Sequence, residues 1–131
     1  MSEKTVLVVD DDEFVLFFVE RALQHLGYAV LCTSSCEEGI ELYEQRHAAG
    51  SPFCAVITDI SIPGGMGGEE LVVRLRERFP DVQVFVSSGH PEAPCMLDPN
   101  RFGFAGSIHK PVTLESLTNE FVPVLERMET A

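Results

Sequence analysis

The stretch Ala55-Val56-Ile57-Thr58-Asp59-Ile60-Ser61-Ile62-Pro63-Gly64-Gly65-Met66-Gly67-Gly68-Glu69 decides the fold. Ala55 to Thr58 is a short apolar, β-rich run, the pattern of a strand buried on both faces. Asp59 stands where that strand ends. Pro63 and four glycines then exclude regular structure until a helix resumes at Glu69. A carboxylate at the carboxyl end of a buried strand, before a Gly-rich loop, lies where open α/β sheets place their ligands. An Asp in that position also commonly does no more than cap the next element, so its meaning depends on what stands at the other strand ends.

Outward from this stretch, the chain alternates strands and helices. Thr5 to Val9 is an apolar β-branched run and ends in Asp10-Asp11-Asp12-Glu13. A helix is predicted from about Glu13 to Leu26, closed by Gly27, with Val15, Phe18, Val19, Ala22 and Leu26 at the spacing of a buried face. Phe14, Leu16 and Phe17 lie off that stripe. Tyr28 to Thr33 reads as a second, more mixed strand nearer an edge. Ser34-Ser35-Cys36-Glu37-Glu38 offers two overlapping Ser-x-x-Glu boxes to start a helix that carries Ile40, Leu42 and Tyr43. The third strand is predicted over 53–58, the next helix over 69–79, and a fourth strand over 82–87, followed by Ser88-Gly89-His90.

Pro91, Pro94 and Pro99 then interrupt the rhythm. Each interior proline costs a helix about 3 kcal/mol, so 91–104 is expected to hold a loop or a single turn in place of a regular helix. Ser107-Ile108-His109 is a short fifth strand. Thr113 caps a last helix with Leu114, Leu117, Phe121 and Leu125 on one face. Pro123 lies inside it and predicts a kink or early end. The order β-α-β-α-β-α-β-(irregular)-β-α gives one α/β domain over 1–131, a doubly wound, five-stranded parallel sheet of flavodoxin-like (βα)5 type.

Composition narrows the function classes. The 131 residues suit one domain, and a net charge of −12 argues against direct nucleic-acid binding. No apolar run is long enough for a membrane span and the N-terminus does not read as a signal peptide, so no membrane insertion and a cytoplasmic location are expected. The four cysteines, Cys32, Cys36, Cys54 and Cys95, lack metal-ligand spacing and are expected to be reduced. There are only two lysines, Lys4 and Lys110.

The carboxyl ends of the strands would collect Asp10 and Asp11 from the first, Asp59 from the third, Ser88 from the fourth and Lys110 from the fifth. Two carboxylates about 4 Å apart repel by roughly 4 kcal/mol at an effective dielectric near 20, which a divalent cation relieves. Hard oxygen ligands suit Mg²⁺. The metal could offset the charge of an incoming phosphoryl group while Lys110 and Ser88 hold its oxygens and Asp59 acts as nucleophile. Singly, each residue reads as a cap, a turn or a surface lysine; their common position at strand ends gives them weight together.

On these residues the chain resembles the receiver domains of two-component response regulators, the CheY-like family. The family's first-strand acidic pair matches Asp10-Asp11. Its Asp-x-x-x-Pro motif with a later Gly matches Asp59, Pro63 and Gly67. Its switch Ser/Thr matches Ser88, and its Lys-Pro pair matches Lys110-Pro111. The resemblance implies that Asp59 accepts a phosphoryl group and that Asp11, Asp59 and the Ser61 carbonyl bind Mg²⁺, with Asp10 acting through a water. It implies that Lys110 and Ser88 contact the phosphoryl group and that the Lys110–Pro111 peptide is cis. The implied partner is a histidine kinase or a histidine phosphotransfer protein, docked on the first helix at Phe14, Phe17 and Arg21. The chain departs from the family at Ser107, where an aromatic residue is usual, and in its shortened fourth helix. The Ser-Gly-His turn and the prolines after it resemble receivers joined to sensor kinases, so a place in a longer multidomain protein is open. A phosphate-independent interaction module and a small Asp-nucleophile phosphatase are the alternatives. The phosphatase would leave Asp59 and Pro63 unexplained, and a flavodoxin-type FMN site would need a phosphate-cradling loop where acids stand.

Overall fold

In the computed structural model, which describes residues 4–130, five strands form one parallel sheet in the order β2-β1-β3-β4-β5. They are β1 (Thr5–Val9), β2 (Ala29–Thr33), β3 (Ala55–Asp59), β4 (Val84–Ser88) and β5 (Gly106–His109). The central strands are short, continuous apolar runs because both their faces are covered. Val6, Val8, Ala55, Ile57, Phe85 and Ile108 pack with α1 (Glu13–His25) and the last helical run. Leu7, Val9, Val56, Val84 and Val86 pack with α2 (Cys36–Ala48), α3 (Gly68–Arg78) and the turn α4 (Pro94–Leu97). The expected doubly wound sheet is thus present, with the mixed strand β2 at one edge.

Local chemistry sets the helix ends. The Asp12 side chain accepts hydrogen bonds from the Phe14 and Val15 amides and starts α1. Gly27, at φ 98°, turns the chain out of α1 in a conformation that residues with a Cβ avoid. Ser35 starts α2 by accepting from the Glu38 amide at 3.0 Å. Thr113 and Ser116 cap each other reciprocally at the head of α5 (Leu114–Ser116).

Two expectations change in detail, and a third holds with an addition. Phe18 is not core: it is 62% exposed, while Val19 and Leu23 are buried and Val15, Leu16 and Leu26 are half-buried. At 100° per residue the true stripe centres between Val19 and Leu23, which leaves Phe18 on its flank and brings Leu16 inward. The segment after β4 does hold only single turns, α4 and a 3₁₀ turn at Pro99–Phe102, yet Cys95 and Met96 in it are buried. The last helix neither ends nor breaks at Pro123. It passes through a π turn at Leu117–Phe121 and continues as α6 (Val122–Thr130). Proline offers no N–H and crowds the carbonyl four residues back, and the wider turn just before it accommodates both.

Candidate functional site at the carboxyl edge of the sheet

Strand alternation decides which residues meet. Val8, Ile57, Phe85 and Ile108 face α1 and the last helix, and the residues two further along are Asp10, Asp59, Ser87 and Lys110. One oxygen each from Asp10, Asp11 and Asp59 lies within 4.8 Å of the others. The Lys110 ammonium joins them, donating to Asp10 Oδ2 at 2.9 Å and to Asp59 Oδ2 at 3.0 Å. The other Asp10 oxygen accepts from the Asp12 amide at 2.9 Å. Asp10 is only 3% exposed, whereas Asp11 is open to solvent and Asp59 half-buried.

The electrostatics follow from burial. Desolvation pushes the Asp10 carboxyl above the usual carboxylate range, and the Asp12 amide and Lys110 oppose this only in part. Burial pulls Lys110 down, but its hydrogen bonds and charge pairing with Asp10 and Asp59 outweigh that and hold it above the ordinary lysine value. A single cation therefore stands against three carboxylates. The donor set is all hard oxygen, and it fits a small divalent cation such as Mg²⁺.

The loop after Asp59 needs its glycines. A Cβ on Gly68 would lie 2.2 Å from the Asp59 carbonyl oxygen, so only glycine lets α3 start so close to the end of β3. Glu37, at the head of α2, reaches this loop. Its carboxylate accepts from the Met66 amide at 3.4 Å and lies against Gly65. Nothing in the spacing of Glu37 revealed this contact, which depends on how α2 packs beside the loop.

The remaining expected residues lie around the cluster. Ser61 is exposed in the loop, two residues past Asp59. Ser88 is buried at the end of β4, on the opposite face of the strand from Ser87, and its Oγ accepts from the His90 amide at 3.0 Å. Its hydroxyl is thus engaged with its own turn and not with the carboxylates. The Lys110 amide donates to the Ser88 carbonyl at 3.0 Å, and the Lys110–Pro111 peptide is cis. Ser107 donates to the Met96 carbonyl at 3.0 Å and so ties β5 to α4. Two further features escaped the sequence reading: the exposed Phe18, and Ser87, whose buried hydroxyl has no hydrogen-bond partner.

Beside the cluster, an apolar groove of about 570 Å³ runs between α1 and the segment after β5. Phe14, Phe18 and Ala22 form one wall, and Lys110, Val112 and Leu114 the other. Phe17 lies outside the groove with the Arg21 guanidinium over its ring at 5.7 Å.

The family model of the response regulator receiver domain matches residues 6–121. The chain belongs to this family. It is 32% identical over 128 residues to the sensor kinase CckA of Brucella abortus, covering 95% of this chain and 13% of the kinase. It is 30% identical over 122 residues to the response regulator receiver protein CpdR of the same organism, covering 93% of this chain and 97% of CpdR. The crystal structure of a CheY-like receiver domain protein from Methanospirillum hungatei JF-1 superposes with a TM-score of 0.82 at 26% identity, covering 98% of each chain. The chain is thus a phosphoaccepting receiver module of two-component signalling. Among the described residues no helix is long and apolar enough to cross a membrane.

Proposed function

We propose that Asp59 is the phosphoacceptor, taking the phosphoryl group from a phosphohistidine of a histidine kinase or a histidine phosphotransfer protein. The observation that carries this reading is the pairing of Asp59 Oδ2 with Lys110 inside a cluster of three carboxylates. In the transfer, an Asp59 oxygen attacks phosphorus. The P–O bond forms, the P–N bond breaks, and the electron pair stays on the imidazole nitrogen. Lys110 holds Asp59 in place beforehand and meets the added negative charge afterwards. Ser88 leaves the His90 amide to bond the new oxygens.

Asp10, Asp11 and Asp59, with the Ser61 carbonyl, would hold Mg²⁺. When bound, the metal supplies the positive charge that lets a phosphoryl group approach three carboxylates. The chain over 1–131 acts as a single receiver domain in the cytoplasm, by itself or within a longer protein, and its signalling role requires no enzymatic output of its own. Phe14, Phe17 and Arg21 dock the helical histidine domain of the donor. Their exposure beside the acid cluster supports this, and so does the adjoining groove, which adds Phe18.

The test is intact mass after incubation with Mg²⁺ and a small phosphodonor. Wild type should gain one phosphoryl group, labile to hydroxylamine, and Asp59→Asn none. An equal gain in Asp59→Asn would overturn the assignment. No gain in wild type, with partner binding retained, would favour a phosphate-independent module.

A further inference from the structure

Ser87 carries a hydroxyl that the reading above does not use. It is 3% exposed, and among the described residues its Oγ is the buried side-chain oxygen or nitrogen without a hydrogen-bond partner. An apolar residue there would avoid the desolvation of an unsatisfied hydroxyl, and Phe85 and Ile108 beside it are apolar. Its position is specific. In β4 it is the register partner of Asp59 on β3 and of Ile108 on β5. Lys110 lies two residues past Ile108, yet its ammonium reaches Asp59 and Asp10 on strands beyond β4. The lysine side chain starts beside Gly89, where an added Cβ would lie 4.0 Å from Lys110 Cβ, and crosses the β4 face that carries Ser87 to reach Asp59, which is level with Ser87.

We propose that Ser87 is a positioning residue for Lys110, idle at rest and engaged once Asp59 is modified. The inference rests on Asp59 being the phosphoacceptor. An ammonium has three N–H donors, and Asp10 and Asp59 take two of them. When one Asp59 oxygen becomes bonded to phosphorus, the other becomes the carbonyl oxygen of an acyl phosphate. It is then a neutral and weaker acceptor than a carboxylate. Lys110 then exchanges its bond to the Asp59 carboxylate for the phosphoryl oxygens, its head shifts to meet them, and its third N–H needs an acceptor. Ser87 Oγ, beneath its path, accepts an N–H and keeps the ammonium over the new phosphoryl group. The absence of a partner at rest and the placement beside Asp59 then have one cause.

Beryllofluoride with Mg²⁺ serves as the probe, read by calorimetry, together with the thermal midpoint of each unmodified protein. Ser87→Ala should bind beryllofluoride about tenfold more weakly, as expected for one lost hydrogen bond to a charged group. Its midpoint without the probe should be equal to or above that of wild type, because an unsatisfied hydroxyl has been removed. Ser87→Thr and Ser87→Val have nearly the same shape, so packing effects cancel between them. The Thr variant should bind the probe about tenfold more tightly than the Val variant. Equal binding by the Thr and Val variants would overturn the proposal, and so would a lower midpoint in Ser87→Ala, which would show that the hydroxyl is bonded at rest. Wild type that binds no beryllofluoride, or Asp59→Asn that binds it as well as wild type, would instead remove the phosphoacceptor reading beneath it.

Discussion

Replacing Lys110 by Met keeps the length of the stem and removes the charge. The structure sets the size of the effect. Lys110 donates to Asp10 at 2.9 Å and to Asp59 at 3.0 Å, and Asp10 has almost no access to water. Removing one partner of a buried pair costs about 3–5 kcal/mol. Two carboxylates at the 4.8 Å limit of the cluster repel by about 3.5 kcal/mol at an effective dielectric of 20. Asp59 and Lys110 are partly open to solvent, so the expected loss in metal-free buffer at neutral pH is about 2–4 kcal/mol. Mg²⁺ should return most of it by taking over the cation's role. The pH dependence has a definite sign. Asp10 already titrates above its unfolded value, so folding takes up a proton as pH falls through the folded pKa, and the charged form is the one that is penalised. Loss of Lys110 raises that pKa further. The deficit of Lys110→Met is therefore largest at neutral pH and shrinks as the pH drops through the Asp10 titration. Urea unfolding followed by far-ultraviolet circular dichroism, with chelator and with Mg²⁺, measures each part. A loss below about 0.5 kcal/mol in chelator, or a loss indifferent to both Mg²⁺ and pH, would refute the view that Lys110 neutralises a buried acid cluster.

Gly68→Ala should cost more than about 3 kcal/mol in thermal or urea unfolding, because its Cβ would meet backbone that cannot give way; a change under 1 kcal/mol would mean that the loop relaxes freely. Burial pushes the Cys32 and Cys36 thiols up to about 11, so both should resist a thiol reagent in the folded protein at neutral pH and react after unfolding. Prompt labelling of native Cys36 would contradict its packing. Phe17→Glu and Phe18→Glu should each slow phosphotransfer from a histidine donor protein and leave the rate with a small phosphodonor unchanged. Parallel loss of both rates would make the residue structural, and no loss in either would move docking elsewhere.

The sequence made the sheet legible because its three central strands are largely apolar runs with acids or a Ser-Gly turn at their carboxyl ends. Asp10, Asp59 and Lys110 could be assembled from order alone, since parallel strands joined by right-handed crossovers present their carboxyl ends on one edge. Phe18 was misread for a definite reason. In a helix with Phe14, Val15, Leu16, Phe17, Phe18 and Val19 in succession, hydrophobicity does not mark the buried stripe, and only packing against β1 and the last helix selects it. The π turn escaped because Pro123 signals disruption without saying how the chain absorbs it. Ser87 escaped because a second serine before Ser88 is unremarkable until the register sets it beside Asp59.

The same register bears on how a signal could leave the site. The family's usual aromatic, three residues before the lysine, is Ser107 here, and it donates to the Met96 carbonyl. Ser107 is the register partner of Val86, and His109 of Ser88. A large ring that changes rotamer moves a surface; a serine bonded to a backbone carbonyl fastens two elements together. Cys95 and Met96 lie in the core beneath this fastening, so α4 is held from below by packing and from the side by Ser107. If Asp59 is phosphorylated as proposed, a shift of the Ser88 turn would act on α4 as a tethered unit, through the chain from His90 to Ala93. The short fourth helix and the missing aromatic belong together in that account: a single anchored turn has little surface for a ring to gate, and a hydroxyl is enough to hold it.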